Sequence, residues 1–292
     1  YTTLFRSHQL AGLALEEDVE SRIIEYRENA WVSHHGPFNN ADFQRDHPWT
    51  LLVQAVDHFI PEVAELRKLV DFIPQWRVDD IMVSYAVDGG SVGPHYDNYD
   101  VFLLQGEGQR RWKLGQYCDG DSALLPHEEL RILCLFEAEQ EYLLESGDVL
   151  YVPPGVAHWG IAEGECTPFS IGFRAPRVND MVSRFADHLL ELLDPDQFYH
   201  DAMLDPVSRA GEIRPRDLER AAAQLQGALD QVTGNRWFGE LVTEPRYEAF
   251  PDDDDLAEAR ALLREGAGFV ALSPTSKLAW QQEETGICIF AN

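Results

Sequence analysis

The chemistry of this 292-residue chain is concentrated in two short stretches, GPHYDNYD and PPGVAHW. His95 and Asp97, in the first, are two positions apart, so on an extended backbone their side chains fall on one face. His158, in the second, adds another imidazole. Two imidazoles and a carboxylate are the ligands of the facial triad that holds Fe(II) in non-haem oxygenases and leaves three coordination positions open. With ten His and 51 acidic residues in the chain, an H-x-D pair carries little weight alone. The downstream pattern of Gly147, Pro153, Gly155 and His158 gives it weight, because it reads as a turn, a strand and a rigid bend that delivers a ligand. His95, Asp97 and His158 are therefore the candidate metal ligands.

That second stretch resembles the second metal motif of the cupin superfamily, whose jelly-roll barrels hold a metal inside. Two departures are visible. Ala162 stands where the superfamily usually has Asn, and H-x-D replaces the commoner H-x-H. Both favour an iron oxygenase over an isomerase-type or storage cupin.

A third stretch, VFLLQ-GEG-QRRWKLG, reads as two strands joined by a glycine turn. Alternation puts Gln109, Arg111 and Lys113 on one face, fit for water, and Arg110, Trp112 and Leu114 on the other. One guanidinium then points inward among apolar neighbours, where it needs an anion. An acidic barrel residue could supply that anion, and so could a ligand. Beside an iron triad the distal carboxylate of 2-oxoglutarate fits, since Arg binds carboxylates through two parallel N–H···O bonds.

The elements that must position these groups follow from the hydrophobic pattern. Residues 16–29, 49–60 and 61–72 read as helical, the last opening on Pro61. From about 79 to 175, short strand-like runs separated by Gly, Pro and Asp predict an antiparallel sandwich or barrel. The helical period returns over 178–193 and 216–231. The tail then reads as three short strands, GFVALS, KLAWQQ and GICIF. The fold class is α+β.

With the barrel, the triad and Arg110 taken together, the segments GPHYDNYDVFLLQGEGQRRW and PPGVAHW…FSIGFRAP resemble the JmjC-type ribosomal oxygenases of the cupin superfamily, above all the bacterial ribosomal oxygenase A group. The resemblance implies a double-stranded β-helix (jelly-roll, JmjC) catalytic domain with its N-terminal helices over residues 1–176. It also implies a helical dimerisation region over 177–210 and a C-terminal winged-helix-like module over 211–292. The implied activity is Fe(II)-, O2- and 2-oxoglutarate-dependent hydroxylation of an arginine in a large-subunit ribosomal protein. Relatives act on histidine, so the same chemistry on histidine or another basic protein stays open, as does a metal-binding cupin module without turnover. His95, Asp97 and His158 match the family's metal ligands. Arg110 falls at its 2-oxoglutarate anchor, and Arg there, rather than Lys, resembles the arginine-hydroxylating branch. Ser170 matches a position that helps hold the co-substrate; a small residue in a tight barrel strand would read the same way.

Composition narrows the partners. Lys and Arg number 23 against 51 Asp and Glu, a formal charge of −28, which repels nucleic-acid phosphates and attracts a basic protein. The same charge would keep a surface hydrated in a saline cytoplasm. No window approaches the roughly 18 apolar residues of a membrane helix. The four cysteines, Cys118, Cys134, Cys166 and Cys288, form no C-x-x-C pair, and YTTLFRSHQL shows no secretory pattern, so reduced thiols and a cytoplasmic location are expected. A homodimer, a basic ribosomal-protein substrate, no nucleic acid and no membrane complete the expectations.

Overall fold

In the computed structural model, residues 7–201, 206, 209–232, 234, 236–245, 253–266, 273–284 and 286–291 are described. An antiparallel sheet of eight strands organises the first part of the chain. Helix α1 (Ser7–Leu13) precedes strands β1 (Ser21–Arg27), β2 (Ala30–His35) and β3 (Trp49–Val53). Short helices α2 (Val56–Phe59) and α3 (Pro61–Ala64) and two 3-10 turns lead to β4 (Val78–Ala86). Then come β5 (Val101–Tyr117), β6 (Ala138–Leu144), β7 (Val149–Val152) and β8 (Val156–Phe173). The strand order is β2-β1-β3-β4-β8-β5-β6, with β7 also paired to β5.

The helical reading of residues 16–29 and 49–60 is corrected here. Both regions hold strands, and only Val56–Phe59 of the second is helical. The Ile-Ile pair of β1 and the TLLV run of β3 are short apolar segments buried on both faces, which periodicity alone cannot separate from helix. The hairpin between β1 and β2 turns on Glu28 and Asn29, both with positive φ, a pattern suited to a two-residue turn. Pro61 does open a helical turn, as its position suggested.

The sheet has two differently packed faces. One carries a large core in which Ile23, Leu51, Val53, Ile81, Val83, Phe169, Ile171 and Phe173 pack with Leu10 of α1. The other carries Val101, Leu103, Trp112, Leu144 and Val152, which line the interior of the curled barrel. The GEG segment is not a hairpin turn, which corrects that expectation too. β5 runs unbroken through it and is bulged against β8 between Gln105 and Glu107 and again between Glu107 and Gln109. Gly108 sits at φ +71°, and a Cβ there would collide with the Glu165 carbonyl and Cys166. Glycine lets the two bulged strands close on each other.

By internal contacts the chain forms two compact units, residues 1–175 with 247–276 and residues 176–246 with 277–292. The first also contains helix α7 (Asp253–Glu265). In the second, α4 (Val178–Leu192) buries Leu189 and sets Phe185 edge-on against Trp237 of α6 (Arg236–Thr243), ring centroids 5.6 Å apart. α5 (Pro215–Leu229) has no buried residue. α6 packs on the hairpin β9 (Leu278–Glu283) and β10 (Gly286–Ala291), where Gly239 leaves room for the Phe290 ring. These are two of the three expected C-terminal strands; GFVALS lies outside the described residues except for Ser273.

Candidate metal centre

His95 and Asp97 do not lie on a long strand. Their segment touches β8 through a single antiparallel bridge in which His95 and His158 exchange both backbone hydrogen bonds, 3.1 and 2.8 Å. The Asp97 carbonyl accepts from Gly155 N–H at 2.8 Å, so the bend before His158 also fixes Asp97. Gly155 has φ +79°, and a Cβ there would meet the Tyr117 ring at 2.5 Å.

The ligand atoms of His95, Asp97 and His158 all lie within 4.8 Å of one another. The imidazole centroids are 4.2 Å apart, and His158 Nε2 is 3.6 Å from Asp97 Oδ2. Each histidine bonds a backbone carbonyl through Nδ1, His95 to Gly93 at 2.9 Å and His158 to Val156 at 3.0 Å. That interaction places the proton on Nδ1 and turns the Nε2 lone pair toward the common centre. Burial, reinforced by His95, pushes the His158 pKa well below its ordinary value, to about 4, against the opposing pull of Asp97. The ring is therefore neutral at physiological pH, as a metal ligand must be. Two imidazoles and a carboxylate aimed at one point fit a divalent iron-type ion.

The inner face continues along β5 and β8. Leu114 pairs with His158, Trp112 with Gly160, and Arg110 with Ala162. Arg110 is 2% exposed. It donates to the Gly160 carbonyl at 3.2 Å and to Cys166 Sγ at 3.9 Å, and its guanidinium lies 5.3 Å from the Trp112 ring centroid. Its Nε has no partner, and among the described residues no carboxylate forms an ion pair with it. The alternative of an internal ion pair thus finds no support. A buried, permanently charged group without a counter-charge is costly, and a ligand carboxylate is the chemistry that satisfies it. Gly160 makes this space: a Cβ there would lie 2.6 Å from Arg110 Nε and 2.8 Å from the Trp112 ring.

The outward set behaves as alternation required. Arg111 pairs with Glu141 at 2.6 Å and also with Glu163, and Lys113 lies over the Trp159 ring. Ser170 is half-buried on β8, paired with Leu103 of β5 and Met82 of β4, and its hydroxyl makes no hydrogen bond among the described residues. It therefore faces the side that Leu103 shares with Trp112.

Of the aromatic side chains near these stretches, Trp112 approaches the His158 ring at 6.0 Å. Tyr96 is buried and donates to the Asp119 carbonyl, Trp159 donates to Ser91 at 2.8 Å, and Tyr99 is exposed. Sequence reasoning missed Ser91, Gln105 and the environment of Cys166. It also missed a buried carboxylate, Glu25, which gathers His34, Arg45 and His47 from outside the cavity. Single polar residues in strands carry no spacing signal that would have revealed them.

A curled antiparallel barrel with a two-histidine, one-carboxylate cluster at its mouth defines a cupin-type metal site. Residues 65–181 match the JmjC domain family. The Escherichia coli ribosomal protein uL16 3-hydroxylase is 38% identical over 247 residues, which is 82% of this chain and 64% of that protein. A probable ribosomal oxygenase of Haemophilus influenzae is 35% identical over 99% of this chain and 74% of its own length. The structure of the E. coli ribosomal oxygenase YcfD in complex with cobalt and 2-oxoglutarate aligns with a TM-score of 0.79 at 32% identity, over 98% of this chain and 76% of that one. The chain belongs to the JmjC-domain ribosomal oxygenases.

Proposed function

We propose that this chain is an Fe(II)- and 2-oxoglutarate-dependent protein hydroxylase acting on an arginine side chain of a large-subunit ribosomal protein. The observation that carries the reading is the pairing of a two-histidine, one-carboxylate cluster with an uncompensated buried arginine on the same barrel face. His95, Asp97 and His158 would hold the iron, and Arg110 would hold the distal carboxylate of 2-oxoglutarate, with Ser170 assisting from β8. Iron with 2-oxoglutarate supplies the activation of O2 that ends in hydroxylation of a C–H bond and release of succinate and CO2. The protein's own part is to orient both groups, to keep the His158 imidazole neutral and to exclude water with Trp112, Leu103 and Leu144.

Several facts support the ribosomal substrate. A relative is named for hydroxylation of uL16, and a ribosomal oxygenase structure in complex with cobalt and 2-oxoglutarate has the same fold. Arg at position 110 resembles the arginine-hydroxylating branch, and the charge of −28 favours a basic partner. The same resemblance supports a homodimer through 177–210, where Val178 and Val182 of α4 are exposed, and a winged-helix-like module over 211–292. Among the described residues no helix is long and apolar enough to cross a membrane, and we place the protein in the cytoplasm. Incubation of the Fe(II)-loaded protein with 2-oxoglutarate, O2 and purified ribosomal proteins tests the reading. Succinate release coupled to the gain of one oxygen atom on an arginine-containing peptide is expected. Iron-loaded protein that releases no succinate with any ribosomal protein would end it.

A further inference from the structure

Behind Arg110 lies a buried polar group of residues that the metal centre does not use. Gln105 is fully buried, Cys166 is 1% exposed, and both sit at the bulges that Gly106 and Gly108 permit between β5 and β8. Gln105 Nε2 donates to the Glu107 carbonyl at 2.9 Å. Cys166 Sγ in turn accepts from Arg110 Nη1 at 3.9 Å. The thiol packs with Ala86 and Ala162, so small side chains surround it and none can take its place against the guanidinium.

We infer that Cys166 is a positioning residue that holds Arg110 in register for the co-substrate while leaving the guanidinium charge free for it. The inference rests on the reading of Arg110 as the carboxylate anchor. Its physical basis is a matching of strengths. Arg110 needs something behind it to fix its rotamer, because only one strong hydrogen bond, to Gly160, does so. A carboxylate in that place would fix it better, but would also neutralise it and compete with the ligand. A thiol is a weak acceptor and fixes without neutralising. Burial pushes the Cys166 pKa up, against the opposing pull of Arg110 and Gln105, so the sulfur carries its proton at neutral pH. The orphaned Oε1 of Gln105 and Nε of Arg110 mark the group as open to a further polar partner.

The test is anaerobic titration of Fe(II)-loaded protein with 2-oxoglutarate, followed by the charge-transfer absorption that appears on binding. The variants are Cys166→Ala, Cys166→Ser, Cys166→Asp and Arg110→Ala, each checked for iron affinity and melting temperature. Cys166→Ala should weaken 2-oxoglutarate binding about tenfold, Cys166→Asp about a hundredfold, and Cys166→Ser should recover most of the loss. Iron affinity should not move, and in turnover the loss should appear in KM for 2-oxoglutarate rather than in kcat. Should Cys166→Asp fail to fold, Cys166→Ala with its serine rescue still decides the matter. Unchanged 2-oxoglutarate affinity in Cys166→Ala, with affinity lost in Arg110→Ala, would overturn the inference and leave the anchor standing. Unchanged affinity in Arg110→Ala would overturn the anchor first and the inference with it.

Discussion

The two ends of the barrel cavity treat polarity in opposite ways. At the mouth, His95, Asp97 and His158 are held by backbone groups: Nδ1 of each histidine bonds a carbonyl, and the Asp97 carbonyl bonds Gly155. Every non-ligating polar atom of the two rings is spoken for, and the remaining lone pairs converge. At the floor, Arg110 keeps an unpartnered Nε and an unanswered charge beside a weak sulfur acceptor. A metal site must be assembled before the metal arrives, so its supporting bonds are complete. On the proposed reading Arg110 is an anion site, which must stay attractive until the anion arrives, so its bonds are left unfinished. The fold carries the cost of the second arrangement for the sake of binding.

The largest effect expected from this contrast is at the mouth. Asp97→Ala removes the anionic ligand, so iron content at sub-stoichiometric supply should collapse and succinate release should fall roughly a thousandfold or more. Metal analysis and succinate measurement check both. Arg110→Leu comes next and separates binding from stability. Affinity for 2-oxoglutarate should fall roughly a hundredfold, yet the ligand-free protein should melt no lower than the unaltered one, because an uncompensated buried charge has gone. A melting point several degrees lower would make Arg110 a structural residue and break the contrast.

Gly160→Ala sharpens it. The added methyl lies within 2.6 Å of Arg110 Nε and 2.8 Å of Trp112. Co-substrate affinity should drop about tenfold with iron affinity intact; parallel titrations with metal and 2-oxoglutarate would expose any coupling between the two ends.

The smallest effect lies outside the cavity. Burial raises the Glu25 pKa, but hydrogen bonds from His47 and His34 and the charge of Arg45 outweigh it and bring the value from 4.5 to about 2. A depressed folded pKa means stability that is fully present above pH 4.5 and lost as pH falls toward 2. Glu25→Gln should therefore cost roughly 2 kcal/mol at neutral pH, and the difference should shrink through that acid window. Denaturant unfolding at several pH values checks this, with 2-oxoglutarate affinity at neutral pH expected to stay unchanged.

The site was more legible in the sequence than its scaffold. His95, Asp97 and His158 announce themselves because metal ligands need particular residue types at spacings set by strand geometry. Arg110 was legible because a charge alternating with Trp112 and Leu114 is improbable unless something answers it. β1 and β3 were misread because short runs of Ile, Leu and Val fit a helix face as well as a doubly buried strand, and only the pairing partners decide. The GEG segment was misread for a related reason. Glycines that mark a turn and glycines that admit a neighbouring bulge look alike until the neighbour, Glu165-Cys166, is in place. Gln105 and Cys166 were invisible because their roles depend on that bulge.

The pairing of β5 with β8 has a consequence for selectivity. Arg110 reaches along its strand to the carbonyl of Gly160, two residues from His158, and two residues of extended chain measure about 6.6 Å. The sheet thus acts as a fixed caliper whose jaws are the metal ligand and the guanidinium, and its opening is quantised by the strand repeat. One extra residue between His158 and Gly160 would not open the jaws slightly; it would turn one of them to the outside of the barrel. On the proposed reading of Arg110 as the anchor, dicarboxylates shorter or longer than the opening should bind more weakly by length alone.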